Sequence, residues 1–213
     1  MQLNIFRGVI AALGVPVAGI AVAAAPVAAE PAPWTVTVYY TAVESFHHGP
    51  ATAVTGCRNL DCTGGTGELG RFPEDFVAAV HDEGTGRITS GGPRRYLNWS
   101  HDVGYWLDDL PRNASGLRLE PFRSAAADGV TLGSTIRVVS CGRQSDGAAP
   151  PAAVCAKLSG PVWTIDDEFT PGMGGKDHID LYIGEEDIPD FTTASPMFTT
   201  LLGATVTITA PAK

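Results

Sequence analysis

Basic charge is scarce in this chain of 213 residues: Lys and Arg number 14 against 23 Asp and Glu, a formal net charge of -9. A surface so short of cations does not attract nucleic acid or an anionic membrane, so neither is expected as a partner. Beyond residue 29 the sequence lacks any apolar run approaching the roughly 18 to 20 residues that a spanning helix needs, and it has no internal repeat at a solenoid or propeller period. Closely paired metal ligands are missing too. Cys57-x4-Cys62 and Cys141-x13-Cys155 do not have zinc spacing. His47 and His48 near Glu44, and the pairs His81-Asp82 and His101-Asp102, repeat at no ligand period. They read as solvated loop residues, and no metal or other cofactor is expected.

What is present begins with an export signal. Residues 1–29 carry one basic residue, Arg7, then an Ala/Val/Ile/Leu run broken by Gly14, Pro16, Gly19 and Pro26, and end in Val27-Ala28-Ala29, the small residues a signal peptidase needs. Cleavage would remove Arg7 and no acid, moving the charge from -9 to -10. The expected mature chain, 30–213, is secreted, monomeric, and of a size for one domain. Outside the cytoplasm an even count of cysteines favours disulfides. Three connectivities are possible, and adjacent pairing, Cys57 with Cys62 and Cys141 with Cys155, is expected because each closes a loop rich in Gly, Asp and Ser.

Trp34 to Ala42 alternates and is rich in β-branched and aromatic residues, which predicts a strand with one buried face. Residues 43 to 70 predict a long loop held by the first cysteine pair. Pro73 to Val80 predicts one short helix, with Pro and two acids at its start and Gly84 beyond. Short β-prone runs follow at 86–90, 118–127, 135–141, 154–158, 162–165, 179–183 and 204–209. The spacing points to a closed or nearly closed β-barrel. Gly65-Thr66-Gly67-Glu68-Leu69-Gly70 matches a dinucleotide-binding pattern, but it follows a loop and precedes no helix, so it is accidental.

Two regions carry possible chemistry. Tyr96 to Trp106 places Tyr96, Trp99, Tyr105 and Trp106 among Asn98, Ser100 and Asp102; such a segment is either a platform on which sugar rings stack or an aromatic-filled strand pair in the core. Further on, Asp128, the pair Asp166-Asp167, and Asp180 stand at the edges of β-prone runs. Carboxylates at strand ends of a barrel can converge on one groove and raise one another's pKa, or they can merely cap turns.

In order and type, Ala126-Ala127-Asp128, Val130 to Ile136, Ile165-Asp166-Asp167 and Ile179-Asp180-Leu181-Tyr182 resemble the three-aspartate (3D) domain, the double-psi β-barrel of membrane-bound lytic transglycosylases and secreted muralytic proteins. Thr131 stands where the family has Pro, Glu168-Phe169 where it has Thr-Gly, and Asp180 lies slightly further on. The resemblance covers residues 124–208, and more weakly 35–41. It implies a mainly β, six-stranded double-psi barrel with a loop and helix insertion over about 43–116. It also implies cleavage of peptidoglycan glycan strands without hydrolysis, with Asp180 as acid and base and Asp128 and Asp166 or Asp167 supporting it. Trp99, Tyr105, Trp106 and Lys176 are the candidate substrate contacts. The same barrel serves non-catalytic expansin-like and inhibitor-like proteins that bind a polysaccharide or a protease.

Overall fold

The computed structural model describes residues 33–92 and 95–212; the expected signal segment lies outside them. In chain order the elements are β1 (Trp34–Val43), β2 (Ala51–Gly56), β3 (Gly67–Pro73), α1 (Glu74–Glu83), β4 (Thr85–Arg87), β5 (Tyr96–Ser100), β6 (Gly104–Asp108) and β7 (Ser124–Ala127). They continue with β8 (Thr135–Ser140), β9 (Arg143–Gln144), α2 (Ala152–Ser159), β10 (Trp163–Asp167), β11 (His178–Glu185), α3 (Phe191–Ala194) and β12 (Leu201–Thr209).

Six strands close on themselves in the order β1, β11, β7, β10, β8, β12 and back to β1. The pairs β1–β11 and β7–β10 are parallel and the other four antiparallel. Closure leaves no free edge among these six, and the period-two alternation of each strand then separates two faces. Val36 and Val38 of β1, Ile165 of β10, and Ile179 and Leu181 of β11 point into the core with Ile136 and Val206. Thr35, Thr37 and Tyr39 share the opposite face of β1, and register sets them beside His178, Asp180 and Tyr182. The barrel expected from the sequence is present, and its alternation is what puts Asp180 on a non-core face.

Residues between β1 and β7 build a second layer. The predicted long loop contains a hairpin, β2–β3, held near its turn by the Cys57–Cys62 disulfide. Helix α1 lies where the sequence predicts one: Glu74 and Asp75 sit in its first turn, Phe76 and Val80 are fully buried one turn apart, and Gly84 ends it in the left-handed region at φ 84. The strands β4, β5 and β6 extend the sheet from the far end of β1. The aromatic run 96–106 is therefore a strand pair, β5–β6.

Two runs expected to be strands differ. The run 118–127 is extended only over β7, since Pro121 and a turn of Glu120 to Arg123 precede it. The run 154–158 is helical: Pro151 sets the start of α2, Ala152 and Ala153 favour a helix, and Val154 and Leu158 bury one face at i, i+4. A disulfide joins Cys155 of α2 to Cys141 beyond β8, so both expected pairings are found. Replacing Cys141 and Cys155 together by Ser is expected to lower unfolding free energy by about 3 kcal/mol, the chain-entropy value for a loop of roughly 15 residues. The shorter Cys57–Cys62 loop should contribute less. Urea denaturation of the two double variants checks the order.

Candidate active site

A cleft of about 520 Å³ opens between the barrel face of β1, β10 and β11 and a wall made from the end of α1, the β5–β6 turn and residues 112–114. Its size suits a few sugar or drug-sized units. Asp180 and Asp167 both line it. They come from strands two apart in the sheet, with β7 between them carrying the small residues Ala125 to Ala127. That small-residue strand lets the two carboxyls face one space. Between Ile165 and Asp167 the β10–β7 register shifts, and the bulge turns Asp167 rather than Asp166 into the cleft.

Burial lifts the Asp180 carboxyl to about 7; the charge of Asp167 adds to this and a hydrogen bond from Thr37 opposes it. Thr37 Oγ1 donates to Asp180 Oδ1 over 2.8 Å. Asp167 is raised to about 6, again chiefly by burial, against hydrogen bonds from the Glu168 and Ala114 amides and the Tyr39 hydroxyl. Tyr39 donates to Asp167 Oδ2 at 3.0 Å and the Glu168 amide to Oδ1 at 2.9 Å. Burial pushes Glu83 well above the usual carboxylate range, with the charge of Asp180 as the next contribution, while its Oε2 accepts the Tyr40 amide at 3.2 Å. Three largely buried carboxyls, Glu83, Asp167 and Asp180, thus face one cleft that Asp82, Asp102 and Glu168 also line, and the one guanidinium among its described lining residues, Arg112, is engaged by Asp108. Such crowding favours retention of a proton near neutrality.

The other sequence candidates lie elsewhere. Asp166 is not among the lining residues; it accepts from Ser124 Oγ at 2.9 Å, and burial raises its pKa. Asp128 is exposed beside the cleft's rim, so close to Gly174 that a side chain there would collide with its carboxylate. Trp99 does line the cleft, its ring 4.2 Å from that of His81. Trp106 is fully buried, Tyr105 is half-buried and donates to the Val77 carbonyl, and Lys176 is exposed, 3.4 Å from Asp177; none of the three lines the cleft. Among the histidines read as solvated, His81 and His101 line the cleft, and His47 is instead held 2.8 Å from the buried Glu186.

Sequence reasoning missed Thr37, Tyr39, Glu83 and His178. Thr37 and Tyr39 alternate with Val36 and Val38, so their shared face was readable. Its pairing with β11 was not. Glu83 ends a recognised helix, but only the packing of α1 on β4 and β1 turns it inward.

Fold and site together define a barrel with a carboxyl-lined cleft. No family model and no curated protein matches the sequence. Among solved structures, the crystal structure of E. coli MltA with bound chitohexaose has the same fold, with TM-score 0.54 and 12% identity over 85% of this chain and 73% of that one. The membrane-bound lytic murein transglycosylase from Agrobacterium tumefaciens gives TM-score 0.51 and 12% identity, over 84% and 74%. At that identity the likeness is one of fold.

Proposed function

We propose that this protein is an exported lytic transglycosylase that cleaves the glycan strands of peptidoglycan. The observation that carries the reading is Asp180: a carboxyl held near neutrality in its proton affinity, on the floor of an open cleft, on a barrel shared with MltA. An acid that must both give and take a proton works best with a pKa near the working pH. Protonated, Asp180 gives its proton to the leaving glycosidic oxygen; as carboxylate it takes the proton of the sugar's own C6 hydroxyl, whose oxygen closes on C1 to give a 1,6-anhydro ring. One carboxyl serves both steps, so the arrangement needs no second carboxylate to activate water. Asp167 supports the raised proton affinity of Asp180 through its charge. Trp99 and Phe169 offer ring faces on the cleft walls against which C–H faces of sugars can pack. The two disulfides suit an oxidising compartment, which supports export.

Incubating the mature protein with purified sacculi should release muropeptides lighter by one water than hydrolysis products, as read by mass spectrometry. Products carrying the added water would make it a hydrolase. Binding to sacculi with no cleavage at any pH between 4 and 9 would make it a binding module.

A further inference from the structure

We propose that Thr37 is a relay between Asp180 and His178, and that His178 is thereby a positioning residue whose ring hydrogen is coupled to the proton on Asp180. The proposal deepens the reading of Asp180 as acid and base, and rests on it for its catalytic meaning only.

The geometry begins with register. The parallel β1–β11 pairing sets Thr35 against His178 and Thr37 against Asp180, so one hydroxyl lies between two groups of the neighbouring strand. Thr37 Oγ1 is 2.8 Å from Asp180 Oδ1 and 2.9 Å from His178 Nε2. A hydroxyl has a single hydrogen, so it cannot donate both ways. When Asp180 is ionised, Thr37 donates to Oδ1 and His178 must present an Nε2–H to the hydroxyl oxygen. When Oδ1 carries the proton, that proton is given to Thr37, whose own hydrogen turns to an unprotonated Nε2. Moving between these states breaks Oδ1–H and Thr37 O–H and forms a new Thr37 O–H and an Nε2–H, leaving carboxylate and imidazolium with the proton count unchanged.

The surroundings fit a shared proton. His178 lies under the Phe169 ring, centroids 4.7 Å apart. Burial pulls its pKa below the usual histidine value while Asp128 and the Gly174 carbonyl oppose that; burial also raises Asp180, so both shifts favour the uncharged pair, with the proton on the carboxyl and Nε2 open to accept from Thr37. The charged and titratable groups that act on the pair are Asp128 from the turn after β7, Asp167 from β10, Glu83 from α1 and Tyr39 from β1. His178 and Asp180 both line the cleft and are partly exposed, so the ring gives the carboxyl a second route for proton exchange with water.

The test is NMR on the intact mature protein, following the His178 ring nitrogens and the Asp180 carboxyl carbon from pH 4 to 9. In wild type the two should share a transition. Thr37→Val should separate them into two independent transitions, and Thr37→Ser should restore the common one. A His178 transition of the same midpoint and amplitude in wild type and Thr37→Val, with a thermal melt showing both folded, overturns the relay. Because the readout needs no turnover, an inactive wild type would remove the enzyme reading and leave this result standing. If cleavage is found, Thr37→Val should lower kcat about tenfold at unchanged KM, with recovery in Thr37→Ser.

Discussion

Replacing Asp180 by Asn is expected to lower glycan-strand cleavage on the order of 10³-fold, the range assigned to a lost general acid and base, while leaving the protein more stable above pH 7. The first effect follows because an amide can neither protonate the leaving oxygen nor accept the C6 hydroxyl proton. The second follows from linkage. The folded-state pKa of about 7 lies far above the ordinary aspartate value of about 3.9, so the folded state holds this proton more tightly than the unfolded chain. Burial of the charge therefore carries no penalty below about pH 4, and stability falls as pH rises toward 7, where the penalty is complete. Asn keeps the shape, still accepts from Thr37, and cannot ionise. The variant should gain about 2 kcal/mol relative to wild type at pH 8 and almost nothing at pH 4, a value well under full linkage because the carboxyl opens onto cleft water. Rates of muropeptide release together with melting curves at the two pH values check both halves. A variant that loses cleavage and gains no stability at pH 8 would mean that Asp180 is ionised without strain, and the acid and base role would lose its physical basis.

The barrel was largely legible from the sequence because its strands carry the period of two plainly: WTVTVYYTA, TIRVV and IDLYI each alternate, and closure buries one face of every one of them. The helix α1 was legible for the same reason of local chemistry, with acids after Pro73 and Gly84 at its end. The segment 154–158 was misread because Val, Cys and Leu in a short run serve a strand or a helix equally well; what decides is Pro151 ahead of it and the packing of Leu158 under Trp163, a tertiary fact. The hairpin β2–β3 was hidden because its exposed strand residues, Ala51, Ala53 and Thr55 among them, show little hydrophobic contrast. Asp180 and Asp167 could be named in advance, but Asp166 could not be separated from Asp167. A single bulge in β10 makes that choice, and a bulge leaves no mark in the residue pattern. The acid wall from α1, with Glu83, depended on one packing angle that no local rule supplies.

Truncating Trp163 to Ala is expected to destabilise the protein by about 3 to 5 kcal/mol, the usual range for a large aromatic removed from a closed core. Trp163 is fully buried at the start of β10, pairs with Ile136 of β8, and lies 6.1 Å from the Phe122 ring. Its indole N–H donates to the Leu158 carbonyl over 3.0 Å, one of the last carbonyls of α2, which has no helical partner of its own. Trp163→Phe should remove that bond and part of the volume, a smaller loss of about 1 to 2 kcal/mol. The comparison bears on the site as well as the core, because Trp163 anchors the strand that presents Asp167 four residues later. Urea midpoints at unchanged m-value should rank wild type, Trp163→Phe and Trp163→Ala in that order. If the strand's anchoring governs the cleft, Trp163→Phe keeps wild-type cleavage at low temperature. Trp163→Ala should lose cleavage in parallel with its folded fraction. Equal stability in Trp163→Ala and wild type would show that α2 and β10 hold together without the indole, and that the placement of Asp167 owes nothing to it.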